Sequence, residues 1–259
     1  MPQFKGNEGN LMQHWVLCEL LNSVRSHFTH LTYVDAHSMA PVARRRTSSN
    51  PKFDTVFEQL PGQKSFYEQA WQALSLGPGT YPNSANFVQQ LWQLPGNCSM
   101  LLCEKDDETV SLLRTWASQL NGLDIEIANR DWRNRFRKGL PKPSGLMFIS
   151  FDPNMYDRNG PPKQAKHENM YPADFKLVLD AVNDLCGGIL IQISTYSANN
   201  DNAQNKVAAS LDHILKDGRF TRAARINTDG NMMSLVYTRD VVWEEELKSL
   251  SDRFNKWFG

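Results

Sequence analysis

Asp35, Glu104, Asp131 and Asp152 each stand where a short run of β-branched, aromatic or leucine residues ends, in LTYVDAHSMAP, SMLLCEKDD, IEIANRD and GLMFISFDPNMY. An ionised carboxylate only accepts hydrogen bonds, and it can accept several at once. In an open parallel sheet the carboxyl ends of the strands share one edge, and ligands bind in the crevice there. Four acids at four such ends therefore converge on one site. An acid after the second strand suits the hydroxyls of a ribose. The pattern reads as a site for an adenosine-containing cofactor. Singly, an acid after a strand is more often a cap on the helix that follows.

The elements that must position these acids alternate along the chain. Leu11, Trp15, Leu17, Cys18, Leu21 and Val24 recur at helical spacing over 11–28,. A strand ending at Asp35 follows, and Pro41 suits the first position of a new helix. Residues 44–80 break the alternation: RRRTSSNPK is loop-like, FDTVFEQL and SFYEQAWQAL read as short helices, and SLGPGTYPNS is a turn cluster,. They form a small helical insert. The alternation resumes with NFVQQLWQL (helix), SMLLCE (strand), DETVSLLRTWASQL (helix) and DIEIAN (strand). GLMFISFDP is the most continuous apolar run and predicts a central buried strand. ADFKLVLDAVNDL, GGILIQIST and AQNKVAASLDHILKD continue as helix, strand, helix. RFTRAARIN and MMSLVYTR read as an antiparallel hairpin across TDGN, and a last helix lies near EEELKSLSDRFNKWF. The fold class is α/β: a Rossmann-like, doubly wound, mostly parallel sheet with an antiparallel edge hairpin and the small helical insert, all in one domain over 1–259.

Composition narrows the function. Of 259 residues 41% are hydrophobic and 22% charged, ordinary for a globular chain,. Lys plus Arg and Asp plus Glu are 28 each, so no overall basic excess points to nucleic acid, although a local patch could still do so. Cys18, Cys98, Cys103 and Cys186 lack paired short spacing, which argues for buried thiols in a reducing compartment. The six histidines show neither HxH nor HExxH spacing, so no metal site is suggested,. MPQFKGNEGN lacks the apolar core of a signal peptide, and no apolar run approaches membrane-spanning length. A cytoplasmic protein with no membrane partner is expected.

The chain resembles class I S-adenosylmethionine-dependent methyltransferases. More closely, it is similar to the bacterial large-subunit ribosomal RNA adenine methyltransferase J family, which methylates an exocyclic amine. GNLMQHWVL is like that family's N-terminal Gly-Asn segment, and YVDAHSMAP like its Leu-Asp-Thr-His-Ala-Gly-Ala-Gly motif. The insert falls at the same place. TYPNSANFVQQLW resembles Tyr-Pro-Gly-Ser, LLCEKDDETVSLLR resembles Thr-Glu-Leu-His-Pro, ANRDWRNRF resembles Ala-Asp-Gly, and FDPNMY stands at Asp-Pro-Pro-Tyr. The resemblance implies S-adenosylmethionine as cofactor. It implies that Asp35 and the backbone of His37, Ser38 and Ala40 hold its methionine end, Glu104 its ribose, and Asp131 its adenine amine. Tyr81, Asn83 and Ser84 would line the cofactor or substrate side. Asp152, with the carbonyl of Pro153, would accept from the target amine, and Asn154 and Tyr156 would complete the catalytic segment.

Two departures stand out. Ser38, Met39, Ala40 and Pro41 replace a glycine motif whose glycines permit positive φ and close backbone approach. Asp152-Pro153-Asn154-Met155-Tyr156 replaces Asp-Pro-Pro-Tyr, so the stacking aromatic has become Met155 or has moved to Tyr156. His14 and His37 are either an acid–base pair or satisfied polar residues. Arg44, Arg45 and Arg46 form one basic run, and Arg133, Arg135, Arg137 and Lys138 another. Each is a solvated face or a phosphate contact, the second helped by Trp132 and Phe136 as stacking rings. Trp15, Trp71, Trp92 and Trp116 read as core. The expectation is methyl transfer to an amine of a nucleic-acid base, RNA before DNA, as in ribosomal RNA methylation. The alternatives are a small-molecule or protein substrate on the same fold, or a catalytically silent cofactor- or RNA-binding module.

Overall fold

The computed structural model describes residues 3–4, 8–45, 65–77, 80–92, 97–159, 169–196, 201–227, 232–239, 247 and 249–258. Its sheet holds β2 (Leu31–Asp35), β5 (Cys98–Glu104), β6 (Asp124–Asn129), β7 (Leu146–Phe151), β10 (Ile189–Tyr196), β11 (Thr221–Asn227) and β12 (Met232–Arg239). The order is β11-β12-β10-β7-β2-β5-β6. The neighbours from β10 to β6 pair parallel, while β12 is antiparallel to both β10 and β11. This is the Rossmann-like α/β fold, with its antiparallel edge hairpin. Every residue of β2 and β7 is buried, as expected of strands covered on both faces. The edge strand β6 instead leaves Asp124, Glu126 and Asn129 exposed.

Side-chain alternation divides the core between the two faces of the sheet. Leu31 and Tyr33 of β2 join one apolar cluster with Met100, Leu102 and Phe148. Val34 joins the other, with Leu101, Cys103, Ile149 and Phe151. The first face is covered by α1 (Glu8–Val24), α2 (Phe66–Leu74), α3 (Ser84–Leu91) and α8 (Leu250–Phe258). The second is covered by α5 (Trp132–Phe136), α6 (Pro172–Val182) and α7 (Asp201–Lys216), and α4 (Asp107–Ala117) links β5 to β6. Local chemistry sets the helix starts. Ser65, Asn83, Asp106 and Asp131 each accept from a backbone N–H of the first turn,. Pro172 stands in the first turn of α6, where Asp174 also accepts from the Tyr171 N–H,. Among the described residues no helix is long and apolar enough to cross a membrane.

Several expectations need correction. Pro41 does not open a helix: β3 (Val42–Arg45) follows at once and pairs antiparallel with β4 (Thr80–Pro82). The Pro41 carbonyl is held there by the Asn83 N–H at 3.0 Å. Arg44 and Arg45 are therefore in a strand, not a loop, and β1 (Gln3–Phe4) adds to it in parallel. The insert thus stands on a small β ladder. Its helix α2 is present, whereas the helix expected over 53–60, Arg46 and the TDGN turn lie outside the described residues. Cys18, Cys98 and Cys103 are buried, but Cys186 is exposed. Trp15 and Trp92 are buried, and Trp71 and Trp116 pack against the first cluster.

Candidate active site

The strand order places the four acids on four consecutive strands, β7, β2, β5 and β6. Register makes the convergence definite. Asp35 pairs with Ser150 and with Leu102, so Asp152 and Glu104 each lie two residues beyond its level, on either side. Glu104 in turn pairs with Asn129, so Asp131 lies two residues further on. A displacement of two keeps side chains on one face. Asp35 and Glu104, which lie within β2 and β5, belong to the α1 side of the sheet at its carboxyl edge; Asp152 and Asp131 stand just past the ends of β7 and β6, where Asp131 turns to cap α5 on the other face.

Asp152, Glu104 and Asp131 line two arms of one cleft that share His37, Met39 and Asp152, with Asp35 buried behind the loop between them. One arm, about 200 Å³, reaches past Ser38 to Glu104 and Asp131. The other, about 20 Å³, runs under α1 to His14, Ala40, Tyr81 and Ser84. A larger cavity of about 860 Å³ opens at the opposite edge, beside Thr29 and Asn97, and contains none of the candidate residues.

The loop after β2 is stitched to both neighbouring strands. Ala36 donates its N–H to the Ser150 carbonyl and Ser38 to the Cys103 carbonyl, both at 3.0 Å. None of residues 38–41 has positive φ; among the described residues only Ser75 and Arg219 do so without being glycine. The lost glycines therefore leave no backbone strain. Asp35, 3% exposed, accepts from the His37 N–H at 3.1 Å and the Tyr33 hydroxyl at 3.3 Å. Burial pushes its carboxyl up to about 6 against those hydrogen bonds. Asp152 is half-buried, and burial, followed by the charge of Asp35, pushes it up to about 7. Its backbone N–H donates to His37 Nδ1 at 3.3 Å, so the β2 and β7 loops are tied through the imidazole.

At the other arm Glu104 folds back on its own turn. One of its oxygens accepts from the Lys105 and Asp106 N–H groups at 2.6 and 2.8 Å. Asp131 caps α5 through the Arg133 N–H at 2.8 Å and also pairs with the Arg133 guanidinium at 3.2 Å. Capping thus coexists with a place on the cleft wall, since a carboxylate keeps lone pairs for further partners.

His14 and His37 are not an acid–base pair. His14 Nδ1 lies 2.6 Å from the Tyr81 hydroxyl, and Nε2 lies 3.0 Å from Ser84 Oγ. Burial drives its pKa down to about 3, so the ring is neutral and one nitrogen accepts while the other donates. The Tyr67 hydroxyl extends the network from Tyr81 at 3.3 Å. Tyr81 and Ser84 thus line the narrow arm but spend polar atoms on His14, a contact 67 or 70 residues distant in sequence that no local motif signals.

Tyr156 does not reach the cleft. Its ring is 3% exposed, packs edge-on against Phe175 at 5.6 Å, and its hydroxyl pairs with Ser210 at 2.9 Å. Adjacent strand residues face opposite ways, so burying Tyr156 turns Met155, 44% exposed, outward. Pro153 is buried, while Asn154 is exposed and lines the wider arm. Two cations of the basic run after Asp131 are spent internally, while Arg137 and Lys138 are exposed. Arg133 is 8% exposed and held by Asp174, Arg135 is paired with Glu126 at 2.7 and 2.8 Å, and Trp132 and Phe136 are core. Burial against Phe151 removes Phe136 as a stacking platform, while Trp132, 2% exposed, still borders the wider arm. The cations on the cleft wall are instead Lys105 and Arg130.

Comparison of the sequence with protein-family models and with curated proteins gives no match. Among solved structures the chain is similar to protein LPL1258 from Legionella pneumophila str. Philadelphia 1, described with the family designation DUF519. The identity is 16% and the TM-score 0.63, over 98% of this chain and 94% of that one, a likeness of fold. An rRNA methylase from Streptococcus thermophilus aligns at 13% identity and TM-score 0.44, over 91% of this chain and 99% of that one. A SAM-dependent methyltransferase from Aquifex aeolicus aligns at 8% and 0.43, over 90% and 93%. Alignments at those two scores carry no argument.

Proposed function

We propose that the cleft binds S-adenosylmethionine and that the protein methylates an amine, with a base of RNA as the leading target. The observation that carries the reading is the set of four carboxylates at four consecutive strand ends along the carboxyl edge of the sheet. The residues fit the cofactor chemically. Glu104 offers acceptors for ribose hydroxyls, Asp131 one for an adenine amine, and Asp35 holds the loop beneath the methionine end. Bound there, the cofactor would supply a methyl group already activated on sulfur.

The chain's own residues must then hold a nucleophile in line and accept the proton it loses. Asp152 lies where both arms meet, and a carboxyl shifted to about 7 suits proton transfer near neutral pH. Accepting an N–H also localises the nitrogen lone pair. His37 keeps the Asp152 backbone in place through its Nδ1. Tyr156 has no part at the reacting centre, so any target ring would meet Asn154 and Met155. RNA is favoured by the family resemblance together with Lys105 and Arg130 on the cleft wall. A small-molecule or protein amine is the second reading, favoured by the internal pairing of Arg133 and Arg135.

Calorimetry with S-adenosylhomocysteine tests the cofactor. Glu104→Ala should weaken binding by about one to two orders of magnitude, the worth of hydrogen bonds to a charged group. Unchanged affinity in a folded variant would remove the ribose assignment. Asp152→Ala should then lower the turnover number on ribosomal RNA while cofactor affinity stays within a few-fold, as for a contact made mainly in the transition state. Full turnover in that variant would exclude amine methylation through Asp152.

A further inference from the structure

Arg133 stands two residues beyond Asp131 in sequence, but its partners come from three parts of the chain. Nε donates to Asp174 Oδ1 at 2.6 Å, and a terminal nitrogen to Asp174 Oδ2 at 2.7 Å, a two-pronged fork. The same terminal nitrogen donates to the Asn169 carbonyl at 2.6 Å. The other one donates to Asp131 Oδ2 at 3.2 Å. The guanidinium also lies over the Trp132 ring at 4.9 Å. The Arg133 and Asp174 side chains are each only 10% exposed, and Asp131 is 24% exposed.

The asymmetry of this arrangement is informative. Anchoring Arg133 in the fold requires only the fork to Asp174 and the bond to Asn169. The remaining prong is directed at the one carboxylate of the three partners that lies on the cleft wall. Asp131 is then gripped at both oxygens, Oδ1 by the Arg133 N–H and Oδ2 by the guanidinium. A planar fork can serve two carboxylates in fixed geometry; a lysine ammonium is a single point charge without that fork.

We propose that Arg133 is a positioning residue that aims the Asp131 carboxylate at the amino group of a bound adenine, from an anchor on Asp174 and Asn169. This rests on the cofactor reading above. Asn169 begins β9 (Asn169–Met170), which pairs with β8 (Met155–Tyr156), a strand that begins three residues after Asp152. One guanidinium therefore joins the adenine-facing wall to the segment that leaves the Asp152 loop.

The test is calorimetry with two ligands, S-adenosylhomocysteine and S-inosylhomocysteine, the latter carrying a carbonyl where adenine carries its amine. Wild-type protein should prefer the adenosyl ligand by about 10- to 100-fold, because Asp131 can accept from an amine but not from a carbonyl. Asp131→Ala should abolish the preference. Arg133→Lys should reduce it by about tenfold, a ratio that a general loss of stability would not move. Arg133→Met combined with Asp174→Leu leaves no orphaned buried charge and should reduce it likewise, which keeps the test alive if the lysine variant does not fold. A preference that survives in both Arg133 variants would overturn the positioning role while leaving Asp131 as the adenine acceptor. Equal binding of the two ligands by the wild type, or binding of neither, would overturn both.

Discussion

Replacing Asp152 by Asn should stabilise the ligand-free protein, and by an amount that grows with pH. The Asp152 carboxyl is raised from 3.8 to about 7, so the folded state keeps a proton that the unfolded chain releases. Because the folded pKa lies above the unfolded one, stability is lost as pH rises from about 4 to about 7, and the penalty is complete above that. Three units at 1.36 kcal/mol each give a ceiling of about 4 kcal/mol at pH 8, lowered by the partial exposure of the side chain. An asparagine never ionises and escapes the penalty altogether. At pH 5 only part of the penalty has developed, so the advantage of Asp152→Asn should be about 2 kcal/mol larger at pH 8 than at pH 5. Urea unfolding at the two pH values measures that difference directly, free of any constant offset from exchanging a carboxyl for an amide. The same variant should lose methyl transfer, since its amide oxygen accepts a hydrogen bond but takes up no proton. A stability gap that does not change with pH would refute the raised carboxyl and, with it, the case for Asp152 as proton acceptor.

Other outcomes follow from the same geometry. Tyr81→Phe removes the hydroxyl 2.6 Å from His14 Nδ1 and should destabilise the protein by about 1–3 kcal/mol, the cost of an unsatisfied buried polar atom; an unchanged urea midpoint would count against the network. If RNA is the substrate, neutralising Lys105 and Arg130 together should flatten log affinity against log salt by up to about 1.4 for a single strand. Neutralising Arg133 or Arg135 should change stability instead of that slope, because both are paired within the fold. A salt slope that responds to Arg135 and not to Lys105 or Arg130 would place the RNA elsewhere.

Much of the layout was legible in the chain because strand burial and helix spacing leave strong periodic marks. LMFISF is apolar but for Ser150 since β7 is covered on both faces, and DIEIAN alternates since β6 is an edge. Asn83, Asp106 and Asp131 announce helix starts through their own side chains. Pro41 misleads for an equally physical reason: a proline suits the first turn of a helix, but it suits the entry to a strand as well, and Thr80–Pro82 supplied a partner for β3. RNRFRK reads as one basic patch because charge is visible in sequence, while Asp174 and Glu126, the partners of Arg133 and Arg135, are not. Tyr156 looks available beside Asp-Pro-Asn-Met, yet which of Met155 and Tyr156 faces the cleft depends on how β8 lies against β10 and α6.

By itself, then, the sequence determined the alternation of strands and helices and placed an acid at each of four strand ends, because backbone propensity and side-chain period are local properties. Only the tertiary structure decided that those strands are neighbours in the order β7-β2-β5-β6, in a register that brings all four acids to one edge of the sheet. It also decided which charged groups remain for a ligand. Arg133 is consumed by residues up to 41 positions away and His14 by residues up to 70 away. Burial and long-range pairing depend on which surfaces meet, and no local pattern encodes that.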